Sequence, residues 1–214
     1  INLFVNKAMK LDIPNYQTKK ELFEFLILNK ETLVSQKKSV IKLADGIGGS
    51  SVHIQGTKSA NKSESVSSEP ISEIKVKAVI NTTNFLDSHG DVHIPGIWNK
   101  SLKENNRIMH VQEHQSSSFD KIISSGDDLK ATAETMTWKE LGYNAIGTTQ
   151  ALVFESTVKE SRNKYMFNQY KQGFVNNHSV GMRYVKMELA VNDEDYEKEK
   201  NFYDKYISQV INKE

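Results

Sequence analysis

The chain has 214 residues, and its hydrophobic fraction of 37% makes a thin core for that length. Basic and acidic side chains nearly cancel, 28 against 27, so a broad nucleic-acid surface, which needs a large basic excess, is disfavoured. The absence of Cys excludes disulfides, thiol catalysis and Cys-based zinc sites, and no uninterrupted apolar run exceeds four residues, too short for a membrane-spanning helix.

The chain begins at Ile1, which reads as a fragment or a processed form, with no visible signal peptide. Thr18 followed by Glu21 has the form of a capping box, and Leu22, Phe23, Phe25, Leu26, Leu33 and Val34 continue as one apolar stripe. One helix over 18–34 is predicted, in an N-terminal helical segment spanning 1–47. Residues 48–70 contain seven Ser and three Gly among 23 residues, with few large apolar anchors. Such a stretch buries too little surface to offset its ordering entropy, and it reads as a flexible linker. Four Asn-x-Ser/Thr sequons, at Asn61, Asn81, Asn99 and Asn177, read as chance matches without Cys or a signal.

The main domain is predicted over 71–214. Alternation marks a strand from Ile74 to Ile80. A polar loop runs from Asn81 to Pro95, then a short helix over 96–104. Arg107 to Glu113 alternates again. Lys121 to Ser124 and Leu129 to Thr137 read as a hairpin through Gly126-Asp-Asp. Thr149 to Val158 is a strand, and Ser161 to Gln172 a helix capped by Ser161 and stopped by Gly173. A long strand is predicted over 175–191 and a last helix over 193–211. That helix would bury Tyr196, Phe202, Tyr203, Tyr206, Ile207 and Val210 against the domain or a second copy of the chain. The fold class is α+β, an antiparallel sheet or barrel surrounded by helices.

Four of the six His, His89, His93, His110 and His114, fall within 26 residues, and His178 adjoins Ser179. His110-Val-Gln-Glu113-His114 matches the H-x-x-E-H pattern of zinc peptidases, with Glu188 offered as a third ligand. That chemistry needs both His on one helix face, whereas Ile108, His110, Gln112 and His114 alternate as in a strand. His89-Gly-Asp91-Val-His93 can also be written as a ligand set, although a turn exposed by Gly90 accounts for it. Ser179, at a strand start after a helix and turn, can act as a nucleophile if an imidazole such as His114 reaches it. Asp87, Asp91, Asp127 and Asp128 all sit in turns, which Asp closes without catalysis. Composition and spacing alone favour satisfied polar His at strand ends.

The order of short motifs adds to this. A strand leads into Asp87-Ser-His-Gly-Asp91 with Pro95 close behind. A strand ending at His114 follows, then Gly126-Asp-Asp-Leu129. A helix ends at Gly173 before His178-Ser179-Val-Gly-Met182. Over about 74–191 the chain resembles the prohead (capsid-maturation) serine proteases of tailed phages, whose fold is similar to that of herpesvirus assemblins. The resemblance implies Ser179 as nucleophile and His114 as base, with His110 the fallback base. A third triad member is offered by His110 or Glu155, or lies beyond residue 214 in a domain truncated at its C-terminus. It implies acyl transfer without metal or cofactor, and an oxyanion hole with backbone N–H groups near Gly181 as one option. The implied substrates and partners are the phage's scaffold and major capsid proteins, with a homodimer as an option and neither nucleic acid nor membrane. The implied location is the cytoplasm of the bacterial host or the inside of the prohead. The loop after His114 departs from the family in lacking Pro-x-Gly. A non-catalytic virion or scaffold module with the same fold is the rival reading, and the zinc peptidase a lesser one.

Overall fold

The computed structural model describes residues 13–44, 53–55, 71–104 and 107–213. They fall into two compact units. One takes the N-terminal residues up to Leu43 with Gly181–Ser208, and the other takes Ala44–Val180 with Gln209–Glu214. Residues 181–208 were assigned from the sequence to the same domain as 71–180; they cluster with the N-terminal helices instead.

In the first unit α1 spans Lys19–Leu28 and α2 spans Lys30–Ser39. The capping box forms: Glu21 N–H donates to Thr18 Oγ1 at 3.2 Å, and Thr18 N–H donates to Glu21 Oε2 at 3.3 Å. The single helix predicted over 18–34 is broken at Asn29, which leaves helical geometry at φ −105 and ψ 12. Its side-chain amide and backbone N–H both bond the Phe25 carbonyl, closing α1 locally. The last helix, expected over 193–211, is the shorter Glu197–Ile207, α5 in chain order. Its expected apolar face is only half-buried over Tyr196, Phe202, Tyr203, Tyr206 and Ile207. The buried residue on α5 is Glu199, whose Oε1 meets Lys30 Nζ at 2.7 Å.

The strands are β1 (Lys42–Ala44), β2 (His53–Gln55), β3 (Glu73–Thr82), β4 (Met109–Val111), β5 (Ile122–Ser125), β6 (Leu129–Thr137), β7 (Thr148–Lys159) and β8 (Val180–Met182). Of the linker predicted over 48–70, only β2 is described; the rest lies outside the described residues. The main sheet has the order β2-β3-β7-β6, with antiparallel pairing throughout. β4 and β5 form a separate antiparallel pair. The class is mixed α/β with antiparallel sheets, and among the described residues no barrel closes.

Three expected elements are corrected. The hairpin through Gly126 does not form: β5 pairs β4 and β6 pairs β7, so this turn passes the chain from one sheet to the other. Gly126 makes the turn with φ +59, which glycine adopts without a Cβ penalty. The long strand over 175–191 shrinks to β8, since a segment is a strand only where a partner edge supplies hydrogen bonds. The short helix over 96–104 narrows to α3, Asn99–Lys103.

β3 and β7 run through the middle of the second unit. Ile74, Val76 and Ala78 alternate inward, and from Ala78 to Thr82 every residue is buried, a stretch that includes the register shift between Val79 and Asn81. One side of the sheet packs Val79, Ala151 and Val153 around Trp138 and Leu141. Helix α4 (Lys164–Lys171) lies against β3 and β7, burying Phe167 and Tyr170. Asn163, not Ser161, caps α4: its Oδ1 accepts from Met166 N–H at 2.9 Å. Gly173, at φ +74, ends the helix as expected.

Candidate active site

His110 lies on β4 and is buried. The strand predicted through Glu113 stops at Val111, and Gln112–His114 turn as one 3-10 turn. Glu113 and His114 take positive φ, 52° and 57°, in the left-handed region that side chains other than Gly seldom occupy. Backbone bonds from Gln115 N–H to Gln112 O (3.0 Å) and from Ser116 N–H to His114 O (3.1 Å) close the turn. The Gln115 amide also donates to Glu113 Oε2 at 3.1 Å. The kink breaks the two-residue period, so His110 and His114 do not share a side as alternation implied.

His114 Nε2 lies 2.6 Å from Ser179 Oγ. Both residues are half-buried, so the pair can be reached from solvent. Ser179 directly precedes β8 and follows His178, whose ring turns inward and is 9% exposed. A strong, short contact between a serine hydroxyl and an imidazole is the geometry that nucleophilic activation requires.

A second Ser–His contact lies in the interior. His110 Nδ1 is 2.9 Å from Ser156 Oγ on β7, and Ser156 Oγ is 2.7 Å from Ser124 Oγ on β5. His110 Nε2 is 2.9 Å from the Tyr170 hydroxyl, which is also 2.8 Å from His178 Nε2. Burial, with His178 close by, pushes the His110 imidazole down to about 3. Burial likewise lowers His178 to about 4, and it raises the Tyr170 phenol above its ordinary value. These groups stay neutral at physiological pH because charging them in the interior lacks compensation. With both ring nitrogens engaged and no tendency to accept a proton, His110 does not serve as fallback base.

Neither offered third member reaches the pair. Among the described residues, neither His110 nor Glu155 hydrogen-bonds His114. Glu155 lies on the exposed side of β7, beside Lys77 (3.8 Å) and Lys130 (3.9 Å). The zinc pattern lacks its helix: His110 is committed to Ser156 and Tyr170, and His114 to Ser179. Glu188 is exposed, in the other unit. Among the described residues, no three His, Asp or Glu side chains converge as metal ligands. Of the carboxylates read as turn residues, Asp87 does turn chemistry. Asp87 Oδ1 accepts from the N–H of His89 (2.8 Å) and of Asp91 (3.0 Å), whereas Asp128 makes an ion pair with Lys159 at 2.7 Å instead of closing its turn. His93 is buried with Nδ1 3.1 Å from Asn81 Oδ1, while His89 is exposed.

Sequence reasoning missed Tyr170, Ser156 and Ser124 as polar partners. Tyr170 counted only as part of an apolar helix side; a hydroxyl at a position that buries its ring is the signal that it needs partners inside. No protein-family model, curated protein or solved structure matches the chain.

Proposed function

We propose that the chain is a serine endopeptidase of the phage head-maturation type, with Ser179 as nucleophile and His114 as base. The observation that carries this reading is the 2.6 Å contact between His114 Nε2 and Ser179 Oγ at a half-buried position. The competing Ser156–His110 contact is sealed from substrate and holds a ring that resists protonation. In the proposed reaction His114 carries its proton on Nδ1, leaving Nε2 to accept. Ser179 Oγ attacks the scissile carbonyl carbon as His114 Nε2 takes the hydroxyl proton. That proton then passes to the leaving amine as the C–N bond breaks. Water attacks the acyl-enzyme by the same route in reverse, releasing the acid and restoring both side chains. An assemblin-like fold, action on the phage's scaffold and capsid proteins, and a place in the host cytoplasm or the prohead belong to the same proposal. They rest on the motif resemblance over 74–191.

A rival reading, a non-catalytic interaction module, draws on the large apolar side chains exposed in the second unit at Phe119 (87%) and Phe174 (65%). Co-expression with the scaffold protein of the same phage separates the two. The protease reading expects trimming that disappears in Ser179→Ala and His114→Ala. Co-purification of intact scaffold with the unaltered chain contradicts it and supports the module.

A further inference from the structure

We infer that Tyr170 is a positioning residue for the Ser179–His114 pair, its hydroxyl joining the segment that carries the base to the segment that carries the nucleophile. The inference rests on the reading of that pair proposed above.

The side chain is fully buried on the inner face of α4. Its oxygen lies 2.9 Å from His110 Nε2 and 2.8 Å from His178 Nε2. His178 is the residue before Ser179. His110 sits on β4, four residues before His114, at the base of the turn that presents the imidazole. The three rings also pack: Tyr170 stacks on His178 at 28° between planes, and the two imidazole centroids are 5.6 Å apart. One hydroxyl therefore fixes two chain segments that are otherwise distant in sequence.

Hydrogen-bond bookkeeping gives the junction a direction. A hydroxyl has one proton, so Tyr170 donates to one imidazole and accepts from the other. His178 Nδ1 is buried and has no hydrogen-bond partner among the described residues. A buried unpaired N–H is rarer than an unpaired lone pair, so Nδ1 is the bare nitrogen and Nε2–H donates to Tyr170. Tyr170 O–H then donates to His110 Nε2. His110 must carry its proton on Nδ1, which donates to Ser156 Oγ. Each member fixes the tautomer of the next. The chain holds His110 and His178 as neutral struts, each with its tautomer set.

This matters because the His114 turn is held in left-handed backbone at two successive residues. Such a conformation persists where the surroundings over-determine it. β4 below the turn is anchored through His110, and the approach of Ser179 through His178. Removing the hydroxyl releases both anchors while leaving the ring in place.

The test uses the purified chain, Tyr170→Phe, and Tyr165→Phe as a control, since Tyr165 is on the same helix but 60% exposed. A fluorophosphonate probe reports the reactivity of Ser179 without requiring a peptide substrate. Tyr170→Phe is expected to lower the maximal phosphonylation rate about 10–100-fold, the scale of a small misplacement of reacting groups. The probe's binding constant should be unchanged, and Tyr165→Phe should behave as the unaltered chain. Nitrogen-15 NMR of the His114 ring gives a readout independent of reactivity. The Nε2 resonance, sensitive to the bond with Ser179, should shift in Tyr170→Phe and not in Tyr165→Phe. A folded Tyr170→Phe with the normal rate and an unshifted Nε2 overturns the inference. If the unaltered chain fails to react, the protease reading falls separately, and the NMR comparison alone decides: an unshifted Nε2 overturns positioning, and a shift supports it. If circular dichroism shows Tyr170→Phe unfolded, His178→Phe, which keeps a ring, takes its place with the same expected and overturning results.

Discussion

Acidification to about pH 5 should remove roughly 4 kcal/mol from the stability of the second unit, relative to about pH 7.5. The perturbation acts on two rings, His110 and His178. Both are held neutral in the fold, with values lowered to about 3 and about 4. In the unfolded chain an ordinary imidazole titrates near ~6.5. Below that value the unfolded state binds protons that the folded state refuses, so stability falls as pH falls, and it levels off only near the folded values. At about pH 5 each ring contributes about 2 kcal/mol of loss, and the figure barely depends on where below ~4.5 the folded value lies. Repulsion between the rings does not enter, since neither is charged in the fold in that range. Lowered carboxylates act further down: the Thr137 backbone N–H, then its hydroxyl, hold Glu140 low, and its contribution fades only as pH falls below the ordinary carboxylate value. The assay is urea unfolding followed by tryptophan fluorescence. Both tryptophans of the chain, Trp98 and Trp138, are buried in the second unit and report on it alone. A loss under about 1 kcal/mol over this range would refute the reasoning, because two buried, neutral imidazoles cannot leave stability flat there.

Two further predictions concern the first unit. Glu199→Gln leaves the half-buried Lys30 ammonium without its carboxylate partner and should cost about 1–3 kcal/mol, read by thermal melting of helical circular dichroism. Thr18→Ala removes the acceptor for Glu21 N–H and should cost about 1 kcal/mol, seen as faster amide exchange in the first turn of α1.

Local chemistry was legible in the sequence wherever one segment settles its own structure. The Thr18–Glu21 box, the Gly173 stop and the alternation of β3 each follow from a few neighbouring side chains. Pairing was not legible. β5 and β6 flank a good turn sequence, yet their partners come from β4 and β7, which a local pattern cannot rank. The stretch 175–191 reads as one strand in the sequence, but a segment becomes a strand only where another edge meets it, and β8 is confined to Val180–Met182. At the candidate site, Ser179 and His114 were named because their types fit one chemistry, and the fold brings them together. The left-handed turn at Glu113 and His114 had no signal, since neither residue is Gly. The roles of His110 and Tyr170 depended on burial, which converts a fallback base into a neutral strut and an apolar stripe residue into a hydrogen-bond junction.

The central claim is that His114 activates Ser179, and covalent labelling tests it most directly. The intact chain is treated with a fluorophosphonate and mapped by peptide mass spectrometry. The account predicts stoichiometric phosphonylation confined to Ser179. Ser179→Ala should abolish it while leaving a folded protein, since the change removes the hydroxyl oxygen that the probe phosphonylates. His114→Ala should slow it severely, because the serine then keeps its proton. A folded, unaltered chain that takes up no label, or one labelled at another serine while Ser179 stays unmodified, would contradict the claim.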